Sequence, residues 1–506
     1  MDGPSIVSPG PMILNTKGDL VWTSDQFGHA SNLKVQRYRH QDYLTFWAGE
    51  KLQESGQGVY YMLDSSYHTI HIVSAVGEGL YGDLHEFKIT NEDTALITVY
   101  NRTQVDLTST NMAWVEDGSI VDGIFQEIDV ASGRLVFQWR ASDHLEEPFF
   151  TQSSGGYVGN GPFDYFHINS VDKDSHGNYL ASLRHLHMLV YIDGSTGEVL
   201  WALGGQADDF QDISDGAATN FRWQHDARWI SEEDGIISLF NNGIARQHYS
   251  DADHSEGRII RLDFADRTAE RLQAFSSLQH ISSASQGSVQ LLPATEEGGD
   301  THVFVGWGSS AAYSEFKSDG QLLCETHLAP SSLFYFERAK SYRAIKAPTT
   351  WKAQPEAWDP AASIKGNNMY ISWNGATEVA WWALQGTLAG GDAEEGQFEE
   401  VDVMAKEGFE CSFDLRGSSS TRAYISYRVA ALDAEMNVLR YSNNAVAPRT
   451  GSGSYLWAGV VFAATAILVV LLTISYRDYL RQALAKLSLS SGRTRYQRLD
   501  AEFVGR

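Results

Sequence analysis

Cysteine is almost missing from this sequence: only Cys324 and Cys411 occur among 506 residues. Two thiols exclude a disulfide-rich scaffold. Because neither cysteine stands in a CxxC pair, they do not indicate a zinc site. The sequence leaves open whether they form one disulfide bridge or remain two free thiols.

Basic residues are also scarce, with 38 Lys and Arg against 64 Asp and Glu and a formal net charge of -26. An acidic surface repels phosphate backbones, so nucleic acid is excluded as a partner. The Gly-rich run QSSGGYVGNG near residue 155 lacks the GxxxxGK[ST] pattern. A phosphate-binding P-loop is therefore not indicated.

Proline is rare, at 11 residues, whereas there are 45 glycines and 12% aromatic residues. This balance favours many short strands joined by turns. The first 345 residues repeat a loose four-strand unit. In the clearest copy, His167–Gly205, strands are predicted over Ile168–Asp172, Tyr179–Leu183, Leu189–Asp193 and Val199–Leu203. Weaker copies are predicted over 32–73, 85–139, 225–275 and 289–327.

Four-strand repeats of about 40–50 residues indicate a β-propeller. The opening PMILNTKGDLVWT has the pattern of an outer half-unit, and FYFERAKSYRAIKAP near residue 340 that of an inner half-unit. If the two halves pair, they close a ring of six. The sequence therefore predicts an all-β fold, with a six-bladed β-propeller over 1–345 and a small fibronectin-like β-sandwich over 346–446.

A membrane anchor is predicted at the end of the chain. Residues 447–454 are expected to be a linker, and 455–476 contain no charged residue over a length that spans a bilayer core of about 30 Å. The tail, 477–506, carries six basic residues within its first part, so the positive-inside rule places it in the cytoplasm. A single-pass membrane protein is expected, with the propeller and sandwich lumenal or extracellular.

A lumenal or extracellular N-terminal part would need a signal peptide, but the first residues contain no apolar leader. We expect the true start to lie upstream of Met1; the alternative is that 455–476 inserts alone as a tail anchor. Asn101-Arg102-Thr103 is a glycosylation sequon, which agrees with a lumenal or extracellular side. Asn101 is thus a predicted glycosylation site.

Three histidines occupy the same place in three successive units: His85, His167 and His225 each precede the first strand. Equivalent positions in successive blades converge on one end of the central channel, so the three imidazoles are predicted to meet. Arg184 ends the second strand of the middle unit and is predicted to reach the same channel mouth. The spaced run Asp193, Gly197 and Trp201 predicts a turn followed by aromatic packing.

A resemblance joins these patterns. The segments HINSVDKDSHGNYLASLRH, WQHDARW, LFNNG, SSASQGSVQ and FVGWG resemble fungal arylsulfotransferase-type proteins and, more distantly, the bacterial arylsulfate sulfotransferases. The resemblance covers roughly residues 10–345, and for the fungal group also the sandwich. The bacterial enzymes carry an N-terminal sandwich and no anchor, so this chain departs from them in domain order.

The resemblance implies an enzyme that moves a sulfuryl group between phenols without the nucleotide donor of cytosolic sulfotransferases. It implies that His225 is a nucleophile that becomes transiently sulfated, and that His85, His167 and Arg184 bind the sulfuryl oxygens. Small phenolic donor and acceptor molecules are then the partners, and no cofactor or metal is expected.

Elementary chemistry agrees with these roles. A neutral imidazole is a competent nucleophile, a guanidinium offers fixed paired donors, and a second histidine can exchange a proton with the phenolic oxygen. Asn169, beside His167, is a candidate substrate-binding residue. His185 and Asn242 are left out of the site, because strand alternation turns His185 away from Arg184 and Asn242 has the pattern of a turn residue.

Three alternatives remain open. Histidines on a propeller axis also describe a His-ligated metal oxygenase, although an arginine among them disfavours a cation. The turn-to-Trp run is found in quinone-cofactor propellers, where nearly every blade carries it. A non-catalytic, membrane-tethered propeller that serves as a binding module is the third alternative.

Overall fold

The regular structure of this protein is almost entirely β-strand. The computed structural model describes Gly3, Ile6 and residues 8–104, 118–144, 162–246, 249–250, 252–294, 300–330, 338–388, 398–416 and 424–446. Within these ranges the helical segments are α1 (Ala141–His144) and two single 3₁₀ turns, Arg184–Leu186 and Gly308–Ser310. The predicted all-β class is confirmed.

Five sheets of four or five strands follow one another along the described part of the first 330 residues, and four of them are wholly antiparallel. The first contains β3 (Ala30–Tyr38), β4 (Gln41–Lys51), β5 (Gly56–Leu63) and β6 (Thr69–Val73). The second contains β7 (Phe87–Ile89), β8 (Thr94–Gln104), β9 (Ser119–Asp129) and β10 (Leu135–Arg140). The third contains β11 (Ile168–Lys173), β12 (Tyr179–Leu183), β13 (Met188–Ile192) and β14 (Val199–Gly204).

The fourth sheet has a fifth strand, β15, which pairs in parallel with β21 at its outer edge. It contains β15 (Gln211–Asp212), β16 (His225–Ser231), β17 (Ile236–Asn241), β20 (Glu256–Asp263) and β21 (Thr268–Phe275). The fifth sheet contains β22 (Ser288–Leu292), β23 (His302–Gly306), β24 (Ala312–Lys317) and β25 (Leu322–His327). A separate small pair, β18 (Ile244–Arg246) and β19 (Tyr249–Ser250), lies between β17 and β20 in the chain.

Successive sheets contact one another at or next to their first strands: β3 contacts β7, β8 contacts β11, β11 contacts β16, and β16 contacts β22. This is the arrangement of a propeller-like fold, in which the innermost strands surround a common axis. The positions of all five sheets agree with the five predicted units. The repeat periodicity therefore predicted the location of the sheets well, although the blade periods are irregular.

The third sheet shows why the prediction succeeded. Its middle strand β12 is fully buried, and the turn between β13 and β14 is built by Asp193, whose carboxylate accepts hydrogen bonds from the backbone N–H groups of Ser195 and Thr196. Gly197 in this turn has φ of 79°, which favours glycine. Trp201 stacks on Tyr191 of its own sheet at 5.0 Å and packs edge to face on Trp229 of the fourth sheet at 6.3 Å, so the predicted turn and the aromatic packing between units are both confirmed.

The two predicted half-units lie in different places: the first packs against the first sheet, and the described part of the second runs beside the fifth sheet. β1 (Met12–Leu14) and β2 (Leu20–Thr23) form a two-stranded sheet, with Trp22 stacked on Tyr67 of the first unit. The segment at residues 341–346 runs beside β22, because Lys346 N–H donates to Gln290 and Gln290 donates to the Lys346 carbonyl. Residues 331–337 lie outside the described residues.

Beyond residue 360 the described chain forms two further antiparallel sheets. One contains β26 (Ala361–Lys365), β27 (Asn368–Ser372) and β30 (Glu410–Asp414). The other contains β28 (Trp381–Leu388), β29 (Glu399–Ala405), β31 (Tyr424–Leu432), β32 (Val438–Tyr441) and β33 (Ala445–Val446). Gly375, near the start of this region, donates to the Val21 carbonyl of β2, so the region is bonded to the propeller-like part.

The remaining predictions concern single positions. Cys324 is exposed, Cys411 is buried, and both are free thiols, so the open question about a bridge is answered. Asn101 lies in β8, partly buried and opposite Asp122 of β9; its glycosylation stays a prediction.

None of the helices in the described part of the chain is long and apolar enough to cross a membrane. Residues 446–506 form a second unit, of which only Val446 is described. The predicted linker, span and cytoplasmic tail at 447–506 therefore lie outside the described residues.

Candidate active site

Two of the three predicted histidines meet directly at the inner end of the sheets. His85 lies just before β7 and His167 just before β11, and their rings pack edge to face with centroids 4.9 Å apart. Both residues are buried, at 4% and 5% exposure. His167 holds a positive φ of 53°, a strained backbone conformation for a residue with a side chain.

Each of these two rings is oriented by its own aspartate. The Nδ1 atom of His85 lies 2.5 Å from Asp83 Oδ2, and the Nδ1 atom of His167 lies 2.6 Å from Asp164 Oδ2. Both aspartates are almost completely buried. Because an ionised carboxylate only accepts, each Nδ1 carries the proton and each Nε2 keeps its lone pair.

His225, the first residue of β16, is held by a different set of partners. Its Nδ1 lies 2.7 Å from Asn242 Oδ1 and 3.0 Å from the Trp223 carbonyl. The amide nitrogen of Asn242 donates to the carbonyls of Ser283 and Gln286 at 2.9 and 3.0 Å. The backbone N–H of Gln286 donates to His225 Nε2 at 3.1 Å, so the lone pair of His225 is on Nε2.

Arg184 joins the cluster from the 3₁₀ turn that follows β12. One guanidinium nitrogen donates to His185 Nε2 at 2.7 Å and the other to the Ala284 carbonyl at 3.1 Å. The guanidinium lies over the Trp223 ring, with Cζ 5.0 Å from its centroid. Its buried Nε–H has no hydrogen-bond partner among the described residues. A buried unused donor is uncommon and marks a place where an anion would be bound.

The predicted orientation of His185 is wrong. Strand alternation ends at Leu183, where the chain enters the 3₁₀ turn Arg184–Leu186. In this turn the side chains of Arg184 and His185 lie on the same side and are hydrogen-bonded to each other. The ring of His185 packs against that of His167 with centroids 4.5 Å apart. His185 is therefore a fourth histidine of the cluster.

Burial dominates the electrostatics of these rings. It lowers the pKa of His167, His185 and His225 well below the ordinary histidine value of 6.5. For His225, the charge of Arg184 lowers the pKa further, and the hydrogen bond with Asn242 opposes this. The result is a group of neutral imidazoles beside a guanidinium.

Asn169, the predicted substrate-binding residue, is fully buried in the wall next to the histidines. Its amide donates to the Gln224 carbonyl at 2.7 Å, and its own carbonyl accepts from Arg343 at 3.1 Å. Its Oδ1 has no partner among the described residues. The bonds that Asn169 makes hold it to other parts of the protein. Its role toward a substrate stays a prediction.

Behind the cluster lies a compact buried ion network centred on Glu86. Glu86 bonds Arg343 at 3.1 Å and also pairs with Arg228, and both arginines pair with Asp226. Burial opposes ionisation of Glu86, but the two arginines and Lys34 outweigh it and hold its pKa well below its usual range. This balanced network fixes β16 and β7 relative to each other beneath the histidines.

Four side chains offer potential metal-ligand atoms within 4.8 Å of one another: Glu54, Asp164, His167 and His185. Their existing bonds compete with a metal ion. Asp164 Oδ2 bonds His167 Nδ1, while His185 Nδ1 donates to the Asp164 carbonyl and His185 Nε2 accepts from Arg184. Because the guanidinium would also repel a cation, these four side chains do not fit a metal ion well.

The profile of the family described as Arylsulfotransferase (ASST) matches residues 34–328, more than half of the chain. The chain belongs to the arylsulfotransferase family. The match begins in β3 and ends just after β25, so the ASST region includes all five sheets and every residue of the histidine cluster. No curated protein matches the sequence.

Several solved structures are similar only at a low level. A protein of unknown function from Bacteroides caccae has a TM-score of 0.38 and 11% identity, covering 68% of this chain and 97% of its own. The GH43 BlXynB protein from Bacillus licheniformis has a TM-score of 0.32 and 9% identity, covering 80% and 84%. The periplasmic gluconolactonase PpgL from Pseudomonas aeruginosa has a TM-score of 0.32 and 11% identity, covering 64% and 94%. We base no conclusion on these likenesses.

Sequence reasoning missed several residues of this histidine cluster. The two aspartates had a usable signal, because each precedes its histidine by two or three positions, in DLH and DYFH. Asn242 lies in the segment LFNNG, but its pattern indicated a turn, and its partners come from a loop about 40 residues further along the chain. Glu54 lies in the connection between β4 and β5, where no periodic pattern exists.

Proposed function

We propose that this protein transfers a sulfuryl group from an aryl sulfate donor to a phenolic acceptor through a sulfated His225, without a nucleotide donor. The observation that supports this most directly is the state of His225: a buried neutral ring with its proton on Nδ1 and its lone pair on Nε2, beside Arg184. Family membership supports the reaction class.

The first half-reaction forms one bond and breaks one. Nε2 of His225 attacks sulfur, an N–S bond forms, and the S–O bond to the aryl group breaks with its electron pair on the departing phenolate. The Gln286 N–H must first leave Nε2, which costs about 1 kcal/mol for an ordinary hydrogen bond. The unused Nε–H of Arg184 is the donor that we assign to a sulfuryl oxygen.

The second half-reaction reverses these changes with a different phenol. The acceptor oxygen attacks sulfur, the N–S bond breaks with its electron pair returning to Nε2, and the proton of the acceptor must go to a base. His85 and His167 are the candidates, because their lone pairs are on Nε2 and their aspartates stabilise the charge that a proton brings. The protonated ring can then donate this proton to the phenolate that leaves in the next turnover.

The test is turnover of a chromogenic aryl sulfate in the presence of a colourless phenol, with the full chain in detergent. We expect acceptor-dependent release of colour that is lost in His225→Ala and retained in His176→Ala, whose histidine side chain is 76% exposed. Equal rates in the native protein and His225→Ala would remove His225 from this role. Release without an acceptor would indicate a sulfatase, and tight binding without release would favour a non-catalytic binding module.

We also propose that residues 455–476 anchor the protein in a membrane, with the sheets on the lumenal or extracellular side and 477–506 in the cytoplasm. The support is the uncharged run and the basic tail that follows it. Ending the chain after residue 446 should move the protein from the membrane fraction to the soluble fraction. If that shortened chain stays in the membrane fraction, the anchor lies elsewhere.

A sixth blade is proposed from β1, β2 and the segment near residue 340. Its support is that β1 and β2 lie against the first unit while 341–346 runs beside β22 of the last. The two segments would then close the ring between the first and fifth sheets.

A further inference from the structure

We propose that Asn242 is a positioning residue that keeps the proton of His225 on Nδ1 and, because it is an amide where His85 and His167 have carboxylates, leaves this ring without a negatively charged partner. This inference rests on the proposed function for its catalytic consequence. Its structural part, the position of the proton, stands on the hydrogen bonds alone.

The orientation of the Asn242 amide is fixed by its surroundings. Its nitrogen faces two backbone carbonyls, those of Ser283 and Gln286, at 2.9 and 3.0 Å, and carbonyls only accept. The oxygen Oδ1 must therefore face His225, where it accepts from Nδ1 at 2.7 Å. The opposite orientation would place an oxygen against two oxygens.

Two other partners of His225 agree with this assignment. The Trp223 carbonyl, 3.0 Å from Nδ1, also requires a proton on that nitrogen. The backbone N–H of Gln286 requires a lone pair on Nε2. Since three bonds from three separate segments specify the same tautomer, Nε2 is the nitrogen that can react.

The Nδ1 partner of His225 differs in charge from those of His85 and His167. Asp83 and Asp164 each place a carboxylate oxygen within 2.6 Å of Nδ1, and a carboxylate stabilises an imidazolium more than an amide oxygen does. Of these three rings, His225 is therefore the one whose side-chain partner at Nδ1 is an uncharged amide. His225 is left with the lone pair that a nucleophile needs.

The other charged groups around His225 act in the same direction. Arg184, His167 and His85 each disfavour a positive charge on this ring. Asp226, its neighbour in sequence, bonds Arg228 and the Val289 N–H instead of the ring. Replacing Asn242 by aspartate therefore keeps a hydrogen-bond acceptor at His225 Nδ1 and adds a negative charge to it.

The same bond also serves the transition state of the proposed reaction. When Nε2 shares its lone pair with sulfur, positive charge develops on the ring and on the Nδ1–H group. Asn242 Oδ1 and the Trp223 carbonyl stabilise that charge when it forms, as the carboxylate does in a Ser-His-Asp triad. An aspartate here would in addition favour protonation of His225 before the reaction starts.

The test uses three variants of the full chain. Asn242→Asp should move the acidic limb of the kcat–pH profile upward by about 1 pH unit or more, since a neighbouring opposite charge shifts a pKa by about that amount. Asn242→Leu should lower kcat about 10- to 100-fold with the donor KM changed less than about 2-fold, as the loss of an orienting partner does. Asn241→Asp is the matched control, because the Asn241 Oδ1 accepts from Arg222 N–H and an aspartate retains that bond.

Thermal melting of each variant shows that it has folded before its kinetics are compared. An Asn242→Asp profile that superimposes on the native one, or an Asn242→Leu variant with native kcat, would overturn the proposal. So would an equal shift of the profile in Asn241→Asp, because the effect would then not depend on contact with His225.

Nitrogen-15 NMR of histidine-labelled protein separates this inference from the proposed function. The signal that disappears in His225→Gln should show a proton on Nδ1, and its titration should move to higher pH in Asn242→Asp. That result supports the inference even if no sulfuryl transfer is found, in which case only the proposed function fails. A proton on Nε2 of His225 would overturn the inference whatever the activity.

Discussion

The ring of His85 meets the ring of His167 edge to face, with an interplanar angle of 83° and centroids 4.9 Å apart, although the two residues belong to different sheets. The contact follows from their equivalent places before β7 and β11. Each ring is fixed on its other side by an aspartate from its own segment. Two preoriented imidazoles therefore present their Nε2 atoms from the inner end of neighbouring sheets, beside the Arg184 guanidinium.

The Arg184→Lys variant tests the anion-binding role of the guanidinium. Lysine carries the same charge but lacks the Nε–H group and the fork that bonds His185 and Ala284 at once. We expect kcat/KM for an aryl sulfate to fall about 10²- to 10³-fold, the usual cost of losing a fixed donor to the transition state.

Steady-state kinetics with a chromogenic donor measure this effect. Arg261→Lys, in which the arginine side chain is 51% exposed, is the matched control and should retain the native rate. An Arg184→Lys variant within a factor of two of native kcat/KM would mean that charge alone suffices, or that the sulfuryl group lies elsewhere.

Glu54 gives a second prediction, because it places an exposed carboxylate beside this cluster of histidines. A negative charge there opposes the arrival of an anionic aryl sulfate but not of a neutral phenol. We expect Glu54→Gln to lower the donor KM about 2- to 5-fold, the size of an exposed charge interaction, and to leave the acceptor KM unchanged.

The change should become smaller as ionic strength rises, since salt screens exposed charges. Glu50→Gln, also exposed but at the end of β4, is the control and should leave both KM values unchanged. A large fall in kcat for Glu54→Gln would contradict this account and would instead make Glu54 a proton-transfer group.

The repeat pattern predicted the sheets and the contact between His85 and His167, because both follow from strand periodicity and register. In the third sheet, the predicted strand Tyr179–Leu183 is observed with the same ends. What periodicity could not predict is where a strand stops: one 3₁₀ turn after Leu183 brought His185 into the site. Asn242 was interpreted as a turn residue and Glu54 was missed for a related reason, since their contacts join segments with no common repeat.

The buried ion network beneath the site provides a stability prediction. Removing the charge of Glu86 leaves Arg343 and Arg228 buried with Asp226 as their remaining ion-pair partner among the described residues. Breaking a buried ion pair on one side typically costs about 3–5 kcal/mol, so we expect Glu86→Gln to lower the free energy of unfolding by that amount.

Denaturant unfolding measures it, and Asp414→Asn is the control because its pair with Arg416 is exposed to solvent. The control should leave the unfolding midpoint almost unchanged. If Glu86→Gln lowered the free energy of unfolding no more than the control does, the arginines would have other partners. The network would then not be what fixes β16 against β7.

The neutral state of His225 makes a prediction about acid stability. Its pKa is lowered well below 6.5 in the folded protein, mainly by burial, so below that pH the unfolded chain binds a proton that the folded chain does not. Stability must then fall as pH falls through 6.5, and it is fully retained above. Replacing His225 by glutamine removes this proton from the unfolded state.

We therefore expect native protein to lose about 1.4 kcal/mol more stability than His225→Gln between about pH 7.5 and about pH 5.5, the value for one histidine that stays neutral when folded. Denaturant unfolding at both pH values measures the difference. His176→Gln, which replaces a histidine with 76% side-chain exposure, should behave as the native protein does. Equal losses in native protein and His225→Gln would mean that His225 accepts a proton in the folded state as readily as in the unfolded one, and a ring of that kind would not remain a nucleophile in mild acid.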